Sequence, residues 1–205
     1  MEESATGTLE RRMADTAERM KSTARRLTAE HGLTGFTVDE LCAEVGVSRR
    51  TFFNYFASKE NAVLGLPARL DVSGLVEQFV EAGEPHRAGL SPRLLDDFAS
   101  LIIARWELLD LTADDVPLLM AAVDREPRLL AHLLALSEQS EREDILLIER
   151  RERLDAGDLR AETVVQLLGT ILRGSAGEFF HHATTDTFHD IFVRRLAAAR
   201  GVFAS

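Results

Sequence analysis

The segment Arg49–Tyr55, RRTFFNY, gathers two guanidiniums, a hydroxyl, an amide and a phenol. These are groups that read nucleic acid. Arg pairs with guanine edges or with phosphates, Asn pairs with adenine, and the Thr methyl packs on thymine. Lys59 adds a cation at the start of the next segment. There it opposes the helix macrodipole, so a purely structural sequence would favour Asp or Glu, and a nearby phosphate would reverse the penalty. Catalysis has no comparable signature. The chain lacks a nucleophile elbow, a phosphate-binding P-loop and a dinucleotide fingerprint. No catalytic residue and no cofactor are expected.

The elements that position these groups are legible in TVDELCAEVGVSRRTFFNYFASKE, Thr37–Glu60. Thr37 precedes the apolar set Val38, Leu41, Cys42 and Val45, with Glu40 three residues on, which is the spacing of a capping box. Gly46 can take positive φ, ending that helix and permitting an abrupt turn. Ser48 caps the next helix, and Ser58 caps a third that opens at Lys59. Phe52 and Phe56 share one face of the middle helix and can pack on Leu41 and Val45. Arg49, Arg50, Thr51 and Asn54 lie opposite, near the helix start. This predicts a compact helix-turn-helix with the Ser48 helix as the recognition element. The competing reading, a small helical hairpin with solvated polar residues, does not account for Lys59.

Residues Ala24 to Lys59 resemble the DNA-binding domain of the tetracycline-repressor (TetR) family. The resemblance lies in ARRLTAEHG (Ala24–Gly32), FTVDELCAEVGVS (Phe36–Ser48) and RRTFFNYFASKE (Arg49–Glu60). It implies a three-helix reading head, a helical C-terminal domain that dimerises and holds an effector, and transcriptional repression. Position by position, Thr37, Ser48, Tyr55 and Lys59 match phosphate-contacting residues. Arg49, Arg50, Thr51, Phe53 and Asn54 match residues that face the groove. Thr28 departs from the pattern, since the family commonly has a large apolar residue there.

Composition fits an all-α protein with a real core. The chain has 205 residues, 45% hydrophobic but only 6% aromatic, which favours Leu/Ala-rich helix packing. The net charge of −10 looks wrong for a DNA binder until its distribution is read. Residues 1–60 hold nine Lys/Arg and ten Asp/Glu, whereas residues 61–205 hold fifteen and twenty-four. The head is near neutral and the body acidic, which suits a site-specific regulator and excludes a polyanion-coating protein. No apolar run spans a bilayer and no leader signature opens the chain, so a cytoplasmic protein without membrane contact is expected. The single Cys42 reads as a small buried residue and not as a redox switch.

The expected domains are 1–60, a helix-turn-helix DNA-binding domain with its first ten residues disordered, and 61–205, an all-helical effector-binding and dimerisation domain. Helix 1 carries Met13, Ala17, Met20, Ala24 and Leu27 at stripe spacing and stops at Gly32. Arg11 and Arg12 read as a solvated helix end in preference to a minor-groove arm. Later helices are predicted at 59–65, 72–82, 92–110, 113–123, from Pro127 to Leu154, 161–182 and 187–200, with the loop GEPHRAGLSP between the second and third. The charged run Glu138–Arg153 reads as a solvated face.

For the body, binding is the expected task. Arg105 interrupts an apolar stripe, which would suit an anionic or carbonyl-bearing effector, although an edge arginine paired with an acid is the plainer reading. The candidate effector pocket is Phe79, Phe98, Ile102, Arg105, Trp106 and Met120, each of which also reads as plain core. The candidate dimer interface is Val164, Leu168, Ile171, Leu172, Phe179, Phe188 and Phe192, on two helices apolar on more than one side, with Gly169, Gly174 and Gly177 allowing close approach. Glu178 and His181 form one Glu-x-x-His, with His182 adjacent, but a di-iron bundle needs a second copy. No metal is therefore expected. The reading is a DNA-binding transcriptional regulator, a repressor that binds a palindromic duplex operator as a homodimer and is released by a small molecule. The alternatives are a small di-iron-like helical enzyme and a transcriptional activator.

Overall fold

The computed structural model describes residues 2–84, 89–181 and 186–203, and among them the fold is all-α with no β-strand. The chain divides into two compact units. The first comprises residues 1–70 and 109–133, the second residues 71–108 and 134–205. The first unit holds α1 (Glu2–His31), α2 (Val38–Val45), α3 (Arg49–Tyr55), α4 (Lys59–Leu64), a 3-10 turn at Ala113–Asp115 and α7 (Val116–Arg125). The second holds α5 (Ser73–Glu81), α6 (Leu94–Glu107), α9 (Leu159–His181) and α10 (Phe188–Phe203), and α8 (Arg128–Glu152) runs from the first into the second. Two differences from the sequence reading stand out. The backbone is helical from Glu2, where the first ten residues were expected to be disordered. Residues 109–133 fold with the head, whereas a boundary after residue 60 assigned them to the body.

The second difference has a physical cause in α1. Its buried positions include Met20, Ala24 and Thr28, but also Lys21 and Arg25. Thr28 satisfies its own hydroxyl on Ala24 O at 2.7 Å, so it fills a tight contact where a larger apolar residue was expected. Arg25, 1% exposed, donates from Nε to Val63 O at 2.9 Å and pairs through Nη1 with Asp115. Asp115 in turn accepts from the Thr112 N–H at 2.9 Å and its hydroxyl at 2.8 Å. Burial pushes the Asp115 carboxyl up, but the Thr112 donors and the Arg25 guanidinium outweigh that and hold it below the usual carboxylate range. Gly65 ends α4 at φ 76°, and a Cβ there would lie 3.1 Å from Arg25 Nη2. Glu126, between α7 and α8, accepts from the Leu33 N–H at 3.3 Å, and His132 Nε2 meets Asn61 Oδ1 at 2.9 Å.

In the second unit the core is built from Phe98, Leu101 and Ile102 of α6, Ile148 of α8, Val164, Val165, Leu168 and Phe179 of α9, and Ile191 and Phe192 of α10. Trp106 stacks on Phe188 with centroids 3.8 Å apart. The charged run Glu138–Arg153 is a solvated face only in part, with Glu138, Arg142, Glu143, Arg150 and Arg153 exposed. Asp144, Glu149, Arg151 and Glu152 are all buried. Arg151 lies over the Phe79 ring at 4.4 Å, donates to Phe79 O and pairs with Asp97 and Glu152. Glu152 also accepts from the Ser91 N–H at 2.7 Å and hydroxyl at 2.8 Å. Burial is tolerated because Arg151, Glu152 and Asp144 each have an opposite charge beside them and Glu149 accepts from the Gly157 N–H at 2.6 Å.

Candidate nucleic-acid interface

Three side-chain caps set the angles of the helices that carry the predicted reading residues. The Thr37 hydroxyl accepts from the Glu40 N–H at 3.1 Å, and Glu40 accepts from the Thr37 N–H at 2.7 Å, which closes the predicted capping box. These bonds, backbone first, lower the Glu40 carboxyl below its ordinary value. Gly46, at φ 78°, donates to Cys42 O at 2.9 Å and turns the chain. Ser48 accepts from Thr51 N at 3.0 Å to start α3, and Ser58 accepts from Asn61 N at 3.2 Å to start α4. Phe52 and Phe56 are buried with Leu41 and Val45, which fixes the roll of α3. Cys42 is buried beside them, and burial raises its thiol pKa.

With that face anchored, Arg49, Arg50, Phe53 and Asn54 are exposed together, and Thr51 and Tyr55 are half-buried at the edges. Phe53 is 42% exposed, yet its ring meets the buried Phe52 edge-on at 5.3 Å. Arg49 lies over Phe53, 5.3 Å from its centroid, and its Nη1 reaches both carboxylate oxygens of Asp39 at 3.2 and 3.1 Å. Arg50 has no ion pair among the described residues. The sequence reading named all of these except Asp39, whose only sequence signal is its place in the first turn of the neighbouring helix.

The predicted phosphate contacts are arranged differently from one another. The hydroxyls of Thr37 and Ser48 are engaged as caps, Thr37 donating to Glu40 Oε2 at 2.9 Å and Ser48 lying 2.8 Å from the Thr51 hydroxyl. The Lys59 ammonium turns back onto Leu33 O and Phe36 O, the latter at 2.6 Å, with the Phe36 ring 4.6 Å away. Its first-turn position thus has a structural partner in the α1–α2 connection. One of its three N–H donors remains for a phosphate.

The other predicted groups are placed as follows. Phe79 and Phe98 are buried with centroids 5.8 Å apart, and Ile102 is buried too, but Met120 belongs to the other unit. Arg105 pairs with Asp144 at 2.6 Å, the plainer of its two readings. Burial raises the Asp144 carboxyl despite that partner. Phe79 borders a cleft of about 270 Å³ between α5 and α6, with Leu75, Gln78, Asp97, Ser100 and Leu101. Phe98 and Ile102 border a separate one of about 50 Å³. Among the dimer candidates, Val164, Leu168, Phe179, Phe188 and Phe192 are buried in their own unit, and Ile171 and Leu172 are half-buried. The reason is that α9, apolar on more than one side, packs on α6 and on α10 of its own chain, and Phe188 and Phe192 of α10 are buried in the same core. Glu178 is committed to Arg194 and Arg195, the latter at 2.8 Å, and His181 Nδ1 faces Gly177 O at 3.1 Å. His182 and part of the loop 83–92 lie outside the described residues.

Comparison with known proteins agrees with this geometry. The family model described as bacterial regulatory proteins, tetR family, matches residues 22–64, which span the three caps and the exposed face of α3. The HTH-type transcriptional regulator TcmR of Streptomyces glaucescens is 30% identical over 185 residues, covering 88% of this chain and 80% of its own. The HTH-type transcriptional repressor AcnR of Corynebacterium glutamicum is 28% identical over 176 residues, 85% of this chain and 78% of its own. AcnR of Corynebacterium diphtheriae is 47% identical over 60 residues, 29% of this chain and 31% of its own.

Proposed function

The chain belongs to the tetR family of bacterial regulatory proteins, and on that premise we propose that it is a repressor, binding a two-fold-symmetric operator as a homodimer and released by a small molecule. It is a DNA-binding transcriptional regulator and not an enzyme. No described helix is long and apolar enough to cross a membrane, and a cytoplasmic location goes with the proposed role. The observation that carries the reading is the exposed set Arg50, Phe53 and Asn54 on a helix whose opposite face is locked by Phe52 and Phe56. A fixed helix that presents Arg donors in its first turn and an Asn on the same exposed side further along is an arrangement that can enter a major groove and read base edges. In this proposal Arg49, Arg50, Thr51, Phe53 and Asn54 face the bases, while Thr37, Ser48, Tyr55 and Lys59 lie along the phosphates.

A two-fold pair doubles the contacts of one short helix, which alone covers too few base pairs for useful specificity. The pairing surface proposed is the outer side of α9 and α10. Leu167 is 42% and Val193 44% exposed there, and a Cβ added at Gly177 would meet nothing within 4 Å. The likeness to a protein named as a repressor supports repression. The cleft bordered by Leu75, Phe79 and Leu101, with Gln78, Arg93, Asp97 and Ser100 also lining it, is the proposed effector site; its mixed lining suits a small ligand with both an apolar body and polar groups. Selection of the full chain against a random duplex library tests the proposal. Enrichment of an inverted repeat is expected, and enrichment of nothing, or of single-stranded sequence, would overturn it.

A further inference from the structure

Asp39 is out of place on a surface meant for DNA. It projects from the first turn of α2 with its side chain 69% exposed, beside the recognition helix, where a carboxylate repels phosphate. Stability does not explain it. An ion pair with both partners this exposed contributes little, because water and salt screen it. The α2 N-terminus already has Glu40 closing its capping box. What Asp39 does hold is Arg49, through both of its oxygens at 3.2 and 3.1 Å.

Arg49 is held from a second direction by Phe53, one turn further along α3, whose ring lies 5.3 Å beneath the guanidinium carbon. Phe53 is itself braced edge-on against the buried Phe52. An unconstrained Arg side chain loses considerable rotamer freedom on binding. Here the carboxylate at one edge of the guanidinium and the ring beneath it together restrict that freedom beforehand, which is how preorganisation favours the bound state. The contacts to Asp39 come from Nη1 alone, so the donors on Nε and Nη2 remain available. These two nitrogens form the fork that meets O6 and N7 of guanine. The negative charge on the other edge disfavours a phosphate in the same place.

We infer that Asp39 is a positioning residue that holds Arg49 on Phe53 as a reader of a guanine edge and keeps it from acting as a phosphate anchor. The inference rests on the proposal that α3 reads DNA. It is tested by selecting the wild-type chain on a random duplex library and then measuring Asp39→Asn, Arg49→Ala and the double variant on the selected and on random duplexes. Asp39→Asn should lower the ratio of selected to random affinity by about 10-fold, within the range of one good bidentate base contact. It should weaken the preference at one guanine, and its salt slope should steepen by about one as Arg49 becomes free to neutralise a phosphate. In the Arg49→Ala background the same substitution should leave the ratio unchanged, and Asp39→Glu should restore part of it. A retained ratio in Asp39→Asn, or an equal loss with Arg49 absent, would overturn the inference while leaving DNA reading intact. A wild-type chain that selects no duplex would instead overturn DNA reading itself.

Discussion

Replacing Asp115 by Ala should be among the most damaging single changes in the first unit, although Asp115 lies far in sequence from the reading helices. Its partner Arg25 is 1% exposed, and Arg25 Nη2 already has no hydrogen-bond partner. Removing the carboxylate leaves a buried guanidinium with only Val63 O to satisfy it. Breaking a buried pair in this way costs about 3–5 kcal/mol. The Thr112 capping box, which also ends on Asp115, adds about 1 kcal/mol. Against a total stability of about 5–15 kcal/mol, that loss should lower the urea midpoint of the unit by on the order of 2 M. Trp106, the one tryptophan, lies in the second unit, so its fluorescence and far-UV circular dichroism report different things. The variant should show an early loss of helix signal ahead of the Trp106 transition. The sign with pH follows from the lowered Asp115 carboxyl. Its contribution is complete above the ordinary value of 3.8 and is lost as pH falls from there through the folded value. The double change Arg25→Met with Asp115→Leu should cost less than Asp115→Ala alone, because a buried pair replaced by apolar side chains strands no charge. A cost for Asp115→Ala below about 1 kcal/mol, the level of an exposed pair, would refute the reasoning.

Lys59→Ala should destabilise the head by about 1–3 kcal/mol, since Leu33 O and Phe36 O lose a charged donor. It should also weaken binding to all duplexes alike, with the salt slope reduced by about one; a changed base preference would contradict that role. Arg50→Ala and Asn54→Ala should each cost about 1–3 kcal/mol on the selected site and less on random duplex, as read by competition titration. Leu167→Glu and Val193→Glu should give folded monomers by light scattering, because both side chains are exposed, whereas Leu168→Glu should unfold the second unit. Dimers that persist in both surface variants would move the interface elsewhere.

The reading helices were legible because their signals are local. A capping Thr with Glu three residues on, a Gly after a helix and a Ser before one each specify backbone geometry within a few residues, and the exposed face of α3 follows from its period. What escaped the sequence depends on partners far along the chain. Nothing near Arg25 announces Asp115, ninety residues on, so in the sequence a buried arginine on α1 is indistinguishable from an ordinary polar position, and residues 109–133 read as part of the body. The run Glu138–Arg153 reads as solvated because alternating charge usually is, and half of it is, but Phe79 O, Ser91 and Asp97 from other elements hold Arg151 and Glu152 inside. For α9 the periodicity showed two apolar sides without saying which side the chain keeps for itself. Val164, Leu168 and Phe179 went to its own core.

The most direct test of the central claim is fluorescence-anisotropy titration of the full chain against the inverted repeat recovered by duplex selection, set beside a scrambled duplex of equal length and repeated across salt concentrations. The account predicts binding of the repeat at least ~10³-fold tighter than of the scrambled duplex at physiological salt, and loss of most of that preference in Arg50→Ala/Asn54→Ala. Equal affinity for both duplexes, or a preference that survives the double substitution on α3, would contradict it.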